Sequence, residues 1–76
     1  MHHRNLSRYL QVNPIDVKVG DITYESFTNK IEVVIGIEPD GSSEVLYLLD
    51  TETGKVTDMN ASWIRQGTMH EVYRPR

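Results

Sequence analysis

The 76-residue chain contains no cysteine. Disulfides and thiolate zinc sites are thereby excluded, and with them two usual braces of a small domain. No apolar run approaches the ~18 residues that a membrane-spanning helix needs, so no membrane partner is expected. No basic-then-apolar leader opens the chain, which favours a cytoplasmic site of synthesis. Hydrophobic residues make up only 38%, with one Trp, four Tyr and one Phe; that is low for a globular chain but above a disordered one. A domain this short buries about 60% of its unfolded surface. Oligomerisation or docking onto a larger assembly is the brace that remains.

Cations are scarce where they would matter for nucleic acid. The formal charge is −3, but residues 1–20 carry Arg4, Arg8 and Lys18 against Asp16, a net +2. Residues 21–62 set nine carboxylates against Lys30 and Lys55, a net −7, and residues 63–76 return to +2 through Arg65, Arg74 and Arg76 against Glu71. A phosphate-binding surface needs a Lys/Arg stripe, and the middle of the chain offers the opposite sign. The acidic middle reads as a solvated face that keeps a small domain soluble, or as one that meets a basic partner, with the basic ends reaching acidic neighbours.

Catalytic sets are also missing. There is no thiol, and none of His2, His3 and His70 has a nucleophile and an orienting acid nearby in sequence. Asp50-Thr51-Glu52-Thr53-Gly54 begins like a calcium loop, but Ala61 stands where the bidentate glutamate belongs. Thr53-Gly54-Lys55 lacks the upstream glycine of a phosphate loop, and Asn60-Ala61-Ser62 matches a glycosylation triplet that would need secretion. The chain is therefore expected to be no enzyme, with no cofactor, no metal and no small-molecule substrate.

What is present is strand periodicity. Leu6, Tyr9 and Leu10 fall at helical spacing, so residues 4–12 are expected to form a short helical arm that Asn13-Pro14 stops. From Ile15 the period becomes two. Val17–Ile22 breaks at Gly20-Asp21 as a bend, and Lys30–Glu38 places Ile31, Val33, Ile35 and Ile37 on one face. Glu44–Asp50 is apolar on both sides, with Leu46 and Leu48 opposite Val45, Tyr47 and Leu49, as in a central or covered strand. Pro39-Asp40-Gly41-Ser42 and Thr51-Glu52-Thr53-Gly54 are turns. Lys55–Met59 and Thr68–Tyr73 are further strands, and Asn60–Ile64 is a capped helical turn. The expected fold is all-β: a small five-stranded barrel over residues 15–76, with an N-terminal arm or short helix over residues 1–14, one late helical turn and a short basic tail.

Three stretches resemble the Src-homology-3-like small barrels of the translation-factor-like and Tudor-like kind: Val17-Lys18-Val19-Gly20-Asp21-Ile22, Lys30–Ile37, and Asp50–Lys55 with Asn60–Ile64. The likeness spans about residues 15–73. Where the nucleic-acid-binding branch usually has a glycine before the Val-Val pair, this chain has Glu32. The overall pattern is also similar to small phage-encoded accessory or virion proteins. The resemblance implies a non-enzymatic interaction module that docks through its arms onto itself, a phage assembly or a host factor. The alternatives are an acidic inhibitor of a basic host protein and a nucleic-acid-associated regulatory barrel. Partner contacts are expected at Arg4, Leu6, Arg8, Tyr9, Leu10, Tyr24, Phe27, Arg74 and Arg76. Tyr24 and Phe27 fit an aromatic groove for peptides or core filling equally well, whereas Tyr47 and Trp63 are expected in the core.

Overall fold

Period-two patterning is realised as extended backbone. The computed structural model, which describes residues 8–76, holds one antiparallel sheet of six strands. In chain order these are β1 (Tyr9–Val12), β2 (Ile22–Glu25), β3 (Lys30–Asp40), β4 (Ser43–Asp50), β5 (Val56–Asn60) and β6 (His70–Pro75). A 3-10 turn at Pro14–Asp16 follows β1, and helix α1 spans Ala61–Arg65. The spatial order is β1-β6-β2-β3-β4-β5. Strands β2 to β5 thus form a meander, and the last strand returns to lie between the first two. The chain is all-β with one late helical turn, as its pattern indicates. The described residues form six strands rather than five, and their sheet is open, with β1 and β5 as its edges.

The expected N-terminal helix is a second difference. Arg4 and Leu6 lie outside the described residues, but Tyr9–Val12 is a strand paired with β6. So short a helix does not recover its nucleation cost. Pairing with β6 instead supplies a hydrogen-bonded ladder and sets Val12 opposite Val72, where it packs against the core. Asn13 then ends the strand by accepting the Ile15 N–H at 3.1 Å, with Pro14 preset for the turn.

The core lies on one face of the sheet. Val17, Val34, Leu46, Leu48, Ala61, Ile64 and Val72 are buried there, with Val12, Ile37 and Met59 packed against them. Helix α1 roofs this face over β4 and β5 and meets the 3-10 turn. Asn60 positions the helix by accepting the Ser62 N–H at 2.9 Å, and the Ser43 hydroxyl donates to the same oxygen at 3.2 Å. On β3 the buried residues are Glu32 and Val34, so of the two faces the one that carries them meets the core. A bulge then interrupts the alternation: the β3–β4 register shifts between Val34 and Gly36, leaving Ile35 unpaired and exposed. Ile31 and Val33 therefore lie on the opposite face from the core, and only Ile37, beyond the bulge, turns inward opposite Leu46. The expectation that Trp63 fills the core also fails, because α1 turns Ala61 and Ile64 inward and leaves Trp63 56% exposed.

One carboxylate ties the bend, the 3-10 turn and β6 together. Asp21 is 1% exposed and accepts the Lys18 N–H at 2.8 Å. It also takes the Arg74 guanidinium with both oxygens, Nε at 2.7 Å and Nη2 at 2.8 Å. Arg74 Nη2 reaches the Asp16 carbonyl as well, at 3.0 Å. Removing one partner strands the other in a poorly hydrated place. We expect Asp21→Ala to lower the unfolding free energy by about 3 kcal/mol, the low end for buried pairs, because the Arg74 side chain stays 34% exposed. Urea denaturation measures this. Val19→Ala, at a residue 58% exposed, should shift stability by no more than about 0.5 kcal/mol; equal effects would remove Asp21 from its central place.

Candidate functional site

Strand alternation that buries Val34, Leu46, Leu48 and Val72 on one face must turn their neighbours to the other. Following the paired register from β6 to β5, that second face carries Tyr73, Ile22, Val33, Leu49 and Val56 in one row. Beside it, Glu71, Tyr24 and Ile31 form a shorter row. All are half-buried except Glu71 and Val56, which are exposed. The described helix and the 3-10 turn pack on the core side, so neither of these described elements covers this apolar face. Its centre forms an open groove of about 690 Å³, floored by Ile22, Ile31 and Val33 and flanked by Tyr9, Tyr24 and Tyr73.

Hydrogen bonds orient the flanking rings. The Tyr73 hydroxyl donates to Glu71, which lies directly across from Tyr24. This hydrogen bond, with partial burial and the Glu71 charge, pushes the Tyr73 phenol up from about 10 to about 12. The Tyr24 hydroxyl donates to Asn29, whose backbone takes the left-handed conformation at φ 60° that closes the β2–β3 turn. Along the rim, Asp50 accepts the Glu52 N–H at 2.8 Å and the Thr53 N–H at 3.3 Å. The Glu52 bond is the main cause holding the Asp50 carboxyl below its usual range. Further along the same face Tyr47 lies over Gly36, where a Cβ would come within 3.3 Å of the ring, and its hydroxyl donates to Glu38 at 2.7 Å. That bond raises the Tyr47 phenol above its ordinary value.

The expected contact residues scatter. Tyr9 and Tyr24 flank the groove. Leu10 falls on the other face opposite Arg74, and Phe27 stands 83% exposed in the β2–β3 turn, outside the groove. Arg74 is engaged by Asp21. Arg76 donates from Nε to the Tyr9 carbonyl at 3.3 Å, and its backbone N–H reaches the Arg8 carbonyl at 3.0 Å, tying the tail to β1. Arg8 itself is exposed, while Arg4 and Leu6 are outside the described residues. Sequence reasoning missed Ile22, Ile31 and Val33 as site residues. Their signal was the surplus of apolar positions in β3, more than one buried face requires.

A smaller opening of about 430 Å³ lies between α1 and the β2–β6 side, lined by Trp63, Met59, Met69, Glu25, Asp58, Asn60 and His70. His70 is buried there with Nδ1 unpartnered. Among the described residues no three or more His, Asp or Glu side chains gather to hold a metal ion. No described helix is long and apolar enough to cross a membrane. Compared with protein-family models, with curated proteins and with solved structures, the chain matches none.

The Tyr73–Glu71 contact predicts a pH response. Because the folded phenol ionises later than the unfolded one, its contribution to stability is complete below about pH 10 and is lost as pH rises to about 12. A phenolate absorbance titration should show one tyrosine ionising near pH 12, and Glu71→Ala should bring it back toward 10. No change in Glu71→Ala would contradict the assignment.

Proposed function

We propose that the chain is a non-enzymatic protein-interaction module that docks onto a larger assembly, a small structural or accessory part of the phage type. The observation that carries this reading is the uncovered apolar row Tyr73, Ile22, Val33, Leu49 and Val56. Single exposed apolar residues are ordinary on a protein surface, but a contiguous band across five strands is a contact surface in want of a partner. A partner would also supply the extra burial that so short a chain lacks.

The small-barrel reading gains support from the β2–β5 meander, the single helical turn before the last strand, and the return of that strand beside β2. The virion or accessory role rests on the resemblance of the sequence pattern alone. Docking through basic arms loses two of its contacts, since Arg74 is held by Asp21 and Arg76 by β1. The sheet face takes their place as the principal contact.

The lysines supply a test. Lys30 borders the groove, whereas Lys18 and Lys55 lie outside it. Amine-reactive cross-linking of the chain in its native assembly, read by mass spectrometry, is expected to yield partner cross-links chiefly from Lys30. Dominant cross-links from Lys18, or none to any protein, would count against docking through this face.

A further inference from the structure

The second face of the sheet is segregated by charge as well as by polarity. Its paired positions include Glu71, Glu38 and Asp58, and none of them is a lysine or arginine. Among the described residues that line the groove, Asp50, Glu52 and Glu71 face a single cation, Lys30. Three of the other cations are engaged elsewhere: Arg74 by Asp21, Arg65 by Glu44, and Arg76 by the β1 backbone. Three tyrosine rings flank the apolar floor within this negative rim. Tyr24 and Tyr73 sit on diagonal register positions across β2 and β6, a spacing of about 7–8 Å between such positions.

Resting on the interaction-module reading, we infer that the occupant of this groove is a basic, apolar segment of a partner protein, a short stretch that mixes lysine or arginine with aliphatic residues. The chemistry of the two surfaces is complementary. Aliphatic side chains of such a segment cover Ile22, Ile31 and Val33, removing apolar area from water on both sides. Its cations pass over the faces of Tyr24 and Tyr73, where the ring quadrupole attracts positive charge. Glu71 and Glu52 then meet those cations at the rim, where opposite charge sets orientation and excludes acidic competitors. The hydrogen bond from Tyr73 to Glu71 keeps both groups in place before the segment arrives. A second copy of this chain is a poor match for the same reason. Its corresponding face presents carboxylates to carboxylates in a self-complementary contact.

Titration of the full 15N-labelled chain with synthetic peptides tests the occupant separately from the module reading. The probes are a capped Leu-Arg-Val-Arg-Leu repeat, the same repeat with Glu for Arg, and the same with Ser for Arg. Amide shifts are expected in β2, β3 and β6 with the arginine peptide only, and to diminish with added salt. Glu71→Gln combined with Glu52→Gln should weaken binding about tenfold. Tyr24→Leu, which keeps the apolar area and removes the ring, should weaken it about threefold. Equal binding of the Glu or Ser peptide overturns the inference, as do shifts confined to the α1 side. Concentration-dependent shifts in the free chain assign the face to a second copy. Contacts from Leu6 to Tyr24 in the free chain assign it to this chain's own N-terminus. Either result also overturns the inference. Should all three peptides fail while cross-links from Lys30 persist, the basic occupant falls and the interaction module stands.

Discussion

The Asp21–Arg74 pair is the contact on which the rest of the sheet depends. A carboxylate with almost no exposure is costly to desolvate, and it persists only when its lone pairs are met. Here a planar guanidinium meets both oxygens, and the backbone N–H of Lys18 adds a third bond. The geometry suits arginine in a way lysine could not reproduce, because two parallel donors are needed. The pair also has a role beyond its own energy. It holds the bend that launches β2, anchors the 3-10 turn through the Asp16 carbonyl, and fixes β6 between its two neighbours. The second face can be uncovered because such contacts hold the strands from the core side.

Charge at the chain ends is thereby redistributed in meaning. By composition the two basic ends look free to reach for acidic neighbours. Folding uses much of that charge internally, through Arg74, Arg65 and the Arg76 contact with β1. The acidic middle is used differently. Asp21 and Glu32 go to the core side and are buried, while Glu38 and Asp58 line the face opposite, joined there by Glu71 of the C-terminal segment. A segment charge of −7 is thus divided between structural carboxylates and a negative outer surface.

Much of this fold is legible in the residues. Gly20-Asp21, Asp50–Gly54 and Asn60 mark a bend, a turn and a helix cap because each has a local reason: a positive φ at Gly20 and Gly54, or a side chain that closes on its own backbone. The doubly apolar β4 also reads correctly, since it lies between β3 and β5. Two elements do not read. β1 is a strand only because β6, remote in sequence, offers it a ladder, and helical spacing over so few residues is a weak local preference. β3 misleads for a different reason. An alternating run shows that two faces exist without saying which is buried, and the bulge at Ile35 then exchanges the faces part-way along. The candidate site was hidden because alternation alone does not say whether Ile31 and Val33 face the core or the solvent.

The position of β6 also bears on how the chain acquires its structure. The last of the described strands, β6, is inserted between the first two, and the Asp21–Arg74 contact joins residues 53 apart in sequence. During synthesis β2, β3, β4 and β5 can assemble as successive hairpins, but β1 has no partner in the sheet until β6 has emerged. Loop closure over such a span is entropically demanding and delays folding relative to local hairpins. The nascent chain therefore passes through a stage with β1 unpaired and the β2 edge open. That interval is when it is most exposed to mispairing with other strands.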